Sequence, residues 1–275
     1  MIDLSKYKNK DDLFWFLKEN KDKLIAQKKF EMKRADAFPL RVPVLDGSVG
    51  KSIEPPEVLL LKDKINVLSV INTTNLLDSH SDVHIKGLWK KSLKEQKLLY
   101  LLQEHQMTFD HIISDEVKAS TKTMEWKELG FYFDGSTEAL IFESEVEKSR
   151  NPYMFEQYAR GYIRNHSVGM RYVQLYLCVD SDNKRDIEEK ENWEKYIGEV
   201  ANREEVDTQG YFWAVTEAKL VEGSAVPLGS NWATPTQSVK EFEFVEPSQD
   251  TRKDTEPPEG TQKECMFSKF INLKV

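Results

Sequence analysis

Between Ile65 and Val226 the apolar residues come mostly in short runs, and that spacing constrains the fold more than any other property of the chain. INVLSVI (65–71), LIFESEV (140–146), HSVGMRYVQLYLC (166–178) and the stretch 211–226 are rich in β-branched or alternating residues, and they predict strands. HSVGMRYVQLYLC is the longest candidate; 211–226 reads as one strand or two. LLYLL (98–102) is a continuous apolar run that fits a buried strand or a helix equally. GLWKKSLKE (87–95) reads as a short helix with Trp89 and Leu93 inward. Pro152 opens an amphipathic helix carrying Phe155, Tyr158 and Ala159, with Gly161 near its end. Many short strands with interspersed helices predict an α+β domain, a mixed barrel or sandwich rather than a doubly wound sheet.

Outside these runs the chain changes character. Residues 1–35 hold ten Lys/Arg against six Asp/Glu, with Leu13, Phe14, Phe16, Leu17, Leu24 and Ile25 near a helical period, and read as a basic amphipathic helical arm. Residues 36–63, with Pro39, Pro43, Pro55, Pro56, Gly47 and Gly50, read as a linker. The compact domain is expected at 64–236. It contains a charged, partly helical insertion at 180–207 with eleven acidic and five basic residues. An acidic tail follows at 237–275, flexible by composition.

The chain has 275 residues and a formal net charge of -8, an acidic balance that argues against a nucleic-acid partner. No run approaches the ~20 apolar residues of a membrane span, and Met1 to Asn20 does not read as a signal peptide. A soluble, intracellular protein is therefore expected. Cys178 and Cys265 stand far apart without metal-ligand spacing, which excludes a disulfide scaffold and a cysteine-rich zinc site. No cofactor and no metal are expected.

Four side chains stand out chemically. His105 ends the run LLYLLQEH, where a core element delivers a polar group to a partly dry edge, as a general base requires. Ser167 opens the longest strand, with Gly169 and Arg171 on its face, and His166 points the opposite way. Gly169 leaves room beside the hydroxyl for a backbone or a substrate. Glu222 lies in a run whose alternation groups it with Ala218, Leu220, Ser224 and Val226, so its carboxylate needs a partner, for which a histidine is suited. Glu217 is the second choice. His80 and His84, in DSHSDVHIKG, read as a solvated turn rather than a metal site.

Taken in order, NTTNLLDSHSDVHIKGLWKKSL (72–93), His105, NHSVGMRY (165–172) and LVEGSAVPLGSNWATPT (220–236) resemble the prohead maturation proteases of tailed phages. The resemblance spans about residues 65–236; the arm, the acidic insertion and the tail lie outside it. It implies a fold like the herpesvirus assemblins, an α+β protein that is mostly a β-barrel of short strands wrapped by helices. It implies a serine endopeptidase with Ser167 as nucleophile, His105 as general base and Glu222 as third member. The long insertion between Ser167 and Glu222 departs from the family pattern. The implied substrates are the major capsid protein and the scaffold protein, and the enzyme itself, inside the assembling prohead in the host cytoplasm. Self-association and docking on the portal are further expectations. The alternative is a non-catalytic capsid assembly or scaffolding protein that keeps the protease fold and uses its arms to dock. A generic serine hydrolase fits less well, because no G-x-S-x-G elbow is present.

Overall fold

In chain order the strands are β1 (Ser52–Ile53), β2 (Lys64–Thr73), β3 (Asp82–His84), β4 (Leu101–Gln103), β5 (Ile112–Ser114), β6 (Glu116–Glu125), β7 (Ser136–Glu147), β8 (Asn165–Val179), β9 (Tyr211–Val226) and β10 (Thr236–Glu241). The helices are α1 (Lys10–Glu19), α2 (Lys21–Phe30), α3 (Pro56–Leu59), α4 (Lys90–Glu95), α5 (Pro152–Ala159), α6 (Ile187–Tyr196) and α7 (Arg203–Gln209). The computed structural model describes residues 6–32, 52–95 and 98–241. Much of the expected linker and most of the acidic tail lie outside the described residues.

The protein is α+β, but among the described residues its strands do not close into the expected barrel. They form two open sheets. One runs β1-β10-β2-β7-β6, antiparallel except for the β1–β10 pair. The other is organised around β9, which pairs along its whole length with β8. Its opposite edge takes β3 and then β4 in tandem, both parallel, with β5 beyond β4. Closure fails for a chemical reason. The edge strand β6, EVKASTKTME, is mostly exposed and carries Glu116, Lys118, Lys122 and Glu125. Such a strand has little to bury against a neighbour, and its charges discourage further pairing.

The principal strands are also longer than the short runs suggest. β8 has 15 residues and β9 has 16, and three register shifts between them let so long a ribbon bend. Both sheets feed one core, in which Ile65, Val67, Ile71, Leu140 and Phe142 meet Val168, Met170, Val215 and Leu220. Helix α5 closes one side of it with Met154, Phe155, Tyr158 and Ala159. The Asn151 side chain caps that helix by accepting from Met154 N at 3.0 Å, with Pro152 in its first turn.

The basic helices belong to the same compact unit as the sheets. Helix α1 buries Leu13, Phe14 and Leu17, and Asn20 sits at the junction with α2. Their cations meet the acidic insertion. Lys18 reaches Glu189 at 3.1 Å, and Lys21 reaches Glu189 at 2.7 Å and Glu188 at 2.9 Å. Farther along α2, Lys28 pairs with buried Asp82 and lies over the Trp213 ring. Burial alone would push the Glu189 carboxyl up, but hydrogen bonds from Lys21 and Lys18 outweigh it and hold the group below the usual carboxylate range. Replacing Glu189 by Gln strips two lysines of their shared charge. Chemical denaturation is expected to show a loss of about 1–2 kcal/mol that shrinks at high salt; an unchanged midpoint would mean that apolar packing alone seats the two helices.

Candidate active site

The site is assembled on β9. Ser167 on β8 stands opposite Ser224, and Gly169 stands opposite Glu222, while the next pair is Met170 with Leu220. The step from Glu222 to Leu220 against a single step on β8 is a bulge at Val221. It reverses the alternation. Val168, Met170 and Leu220 point into the core, and a Cβ on Gly223 would meet the Phe142 ring, so Gly223 faces the core too. Ser167, Gly169, Glu222 and Ser224 therefore share the other face. Simple alternation groups Glu222 with Ala218 and Leu220; the bulge separates it from them.

The histidine arrives from the opposite edge of β9. Strand β4 pairs in parallel, with Gln103 beside Ala225. The chain then turns sharply, Gln106 N donating to Gln103 O at 3.0 Å, with Glu104 at φ 52° and His105 at φ 58°. Both central residues of this turn are left-handed without being glycine, a strained arrangement of the kind that collects at functional sites. Glu104 N donates to Ala225 O at 3.0 Å and His105 N donates to Ser224 Oγ at 3.1 Å, which folds the turn back over β9. The imidazole is thereby delivered to Glu222, and Nδ1 donates to Oε1 at 2.6 Å.

The carboxylate is fully enclosed. Glu222 is 1% exposed, and its second oxygen, Oε2, accepts from Ser224 Oγ at 2.6 Å. Both carboxylate oxygens thus carry a donor, the condition under which an anion can be buried. With Nδ1 as the donor, the neutral ring presents Nε2 as the basic nitrogen. Gly169 makes room for this carboxylate: a Cβ there would lie 1.9 Å from Glu222 Oε1. The space expected beside Ser167 for a backbone or substrate is, at Gly169, filled by Glu222. Its carboxylate lies on β8 two residues from Ser167. From above, Gly229 comes so near that its Cβ would stand 3.6 Å from Ser167 Cβ and 2.8 Å from His166 O. An open cleft of about 320 Å³ runs past the turn and the start of β8, lined by Gln103, Glu104, Tyr153, Asn165, Val226 and Pro227 among others.

The other sequence candidates lie elsewhere. Glu217 pairs with Lys91 at 3.1 Å, away from His105. His166 is sealed in the core, accepting from Tyr158 OH at 3.0 Å and donating Nδ1–H to Thr234 O at 3.2 Å. Burial pushes its pKa down to about 4, so the ring is neutral. The segment around His84 is not a solvated turn. Asp78, Asp82 and His84 are buried; Asn72 contacts Nδ1 of His84 at 2.9 Å, and Tyr172 OH contacts Nε2 at 3.1 Å while donating to Asp82 at 2.8 Å. Asp78 accepts from the His80 and Asp82 amides. Burial, with the Asp82 charge beside it, pushes Asp78 up to about 7. Among the described residues no cluster of three or more His, Cys, Asp or Glu could hold a metal ion.

Two members of the site escape a reading of the sequence. Ser224 sits two residues from Glu222, but only the bulge and the left-handed turn give it a task. The turn itself has no sequence signature, because neither Glu104 nor His105 is a residue that favours positive φ as glycine does. Comparison with family models, with curated proteins and with solved structures finds no match for this chain.

A methyl at position 169 would occupy the place of the Glu222 carboxylate. Gly169→Ala is expected to cost about 1–3 kcal/mol in chemical denaturation and to displace Glu222 from His105 in a crystal structure. An intact contact would contradict the cradle. A second expectation concerns acid. His166 titrates at about 4 folded and near 6.5 unfolded, so as pH falls between those values the unfolded state takes up the proton first and stability declines, by about 3 kcal/mol in all. The raised Asp78 works in the opposite direction, so the decline is cleanest in Asp78→Asn. Adding His166→Asn should flatten it; a decline that persists would assign it to another group.

Proposed function

We propose that this chain is a serine endopeptidase of the prohead maturation type, with Ser167 as nucleophile, His105 as general base and Glu222 as the carboxylate that orients the base. The observation that carries the reading is the buried 2.6 Å contact from His105 Nδ1 to Glu222, on the sheet face that also holds Ser167. A serine hydroxyl is a poor nucleophile near neutral pH and needs a base to take its proton as it attacks. A base held through Nδ1 offers Nε2 for that task, and a buried carboxylate stabilises the imidazolium that forms.

The reaction then follows the acyl-transfer sequence. Ser167 Oγ attacks the scissile carbonyl carbon while its proton passes to His105 Nε2. The tetrahedral intermediate collapses as the same proton goes to the leaving amine; water then attacks the acyl-enzyme as His105 takes its proton, and that proton returns to Ser167 Oγ as the ester bond breaks and the acid is released. Backbone amides near Ser167 would supply donors to the oxyanion. The cleft beside the turn, lined by Glu104 next to His105 and by Asn165 two residues before Ser167, is where an extended peptide would lie. The resemblance supplies the substrates: capsid and scaffold protein within an assembling prohead. The docking of α1 and α2 on the acidic insertion favours this reading over an assembly factor with free basic arms.

Co-expression with the capsid and scaffold proteins tests it. Ser167→Ala and His105→Ala are expected to abolish their processing. Glu222→Gln should slow it by about 10²–10⁴-fold, because the amide no longer selects the correct tautomer. Unchanged processing in Ser167→Ala would sink the assignment. If capsids still required the protein, the non-catalytic assembly role would stand in its place.

A further inference from the structure

Two serines face each other across the β8–β9 ribbon, and the pair poses a chemical choice. Ser167 and Ser224 lie on the same face, in register, beside the same Glu222. A serine hydroxyl has one proton to donate and two lone pairs with which to accept. Ser224 commits its proton to Glu222 Oε2 at 2.6 Å and accepts the His105 amide at 3.1 Å. It is 0% exposed, against 5% for Ser167. A hydroxyl whose proton is held by a carboxylate and whose oxygen is enclosed cannot be handed to a base and aimed at a substrate.

We infer that Ser224 is a positioning residue: its hydroxyl sets the plane of the Glu222 carboxylate and at the same time pins the left-handed turn that carries His105. The inference rests on the peptidase reading of the site and deepens it. With the His105 contact alone, the carboxylate could swing about its last torsion and take the imidazole with it. A second donor on Oε2 removes that freedom. The bond to the His105 amide acts on the other end of the same unit. Glu104 and His105 hold an unfavourable backbone conformation, and such a turn persists only where its surroundings over-determine it. One oxygen therefore links base and carboxylate through main chain and side chain together.

The test compares Ser224→Ala, which removes only the oxygen, with Ser224→Thr, which keeps the hydroxyl. Two readouts are taken on the full-length chain: the labelling rate of Ser167 by a fluorophosphonate, and the His105 Nδ1 proton resonance in histidine-labelled protein. The fluorophosphonate reports the same proton transfer as catalysis, since Oγ bonds to phosphorus, fluoride leaves and His105 takes the proton. Ser224→Ala is expected to slow labelling by about tenfold and to broaden the Nδ1 proton by exchange with water. Ser224→Thr should restore both. An unchanged rate and resonance in Ser224→Ala overturns the inference. So does a slowed rate with an unaltered resonance, which would mean a merely structural role. Absence of Ser167 labelling in the unmodified protein would instead count against the peptidase reading, and the resonance would still decide the role of Ser224.

Discussion

A carboxylate removed from water must be given donors or it will not stay charged, and much of this site follows from meeting that demand at Glu222. Gly169 is bare so that the carboxylate can lie on β8. The bulge at Val221 turns Glu222 away from the apolar core that claims Leu220. Ser224 supplies one donor and the His105 imidazole the other. To bring that imidazole close, the chain accepts two consecutive left-handed residues, a cost of the order of 1–3 kcal/mol each. A strand, a glycine, a bulge and a strained turn thus serve a single buried charge.

Charge organises the periphery as well, by a different rule. The first helices are basic and the 180–207 insertion is acidic, and the fold sets them against each other. Exposed pairs of this kind contribute little singly, but Glu189 and Asp82 are buried and hold lysines that come from α1 and α2. Beneath Lys28 the polar chain continues through Asp82 and Tyr172 to His84 and Asn72. The two helices are therefore seated by buried polar groups as well as by Leu13, Phe14 and Leu17. The basic amphipathic arm expected at the start of the chain is part of the body.

Where the sequence pattern was strong, the elements were legible. The apolar runs at 65–71, 140–146 and 166–178 lie within β2, β7 and β8, and Pro152 does open a helix. The run at 98–102, open between strand and helix, ends in the short strand β4, because only Leu101 to Gln103 find a partner edge on β9. Strand β6 gave only a weak apolar signal, Val117, Ala119 and Met124 among mostly polar residues, and it is held chiefly by the ladder that β7 offers. The barrel expectation failed at that strand. A polar edge gives a sheet no reason to close.

Local chemistry alone determined that this chain would be α+β, that its histidine of interest ends an apolar run, and that a glutamate among apolar neighbours would need a partner. Hydrophobic period, proline placement and the cost of burying charge are properties of a few adjacent residues, so they can be read without a fold. Only the tertiary structure decided which partner Glu222 takes, which serine is tied down, and which face each of them occupies. Those outcomes turn on one bulged residue and one left-handed turn. Both are imposed by pairs of residues that lie fifty or more positions apart in sequence, and no local preference encodes them.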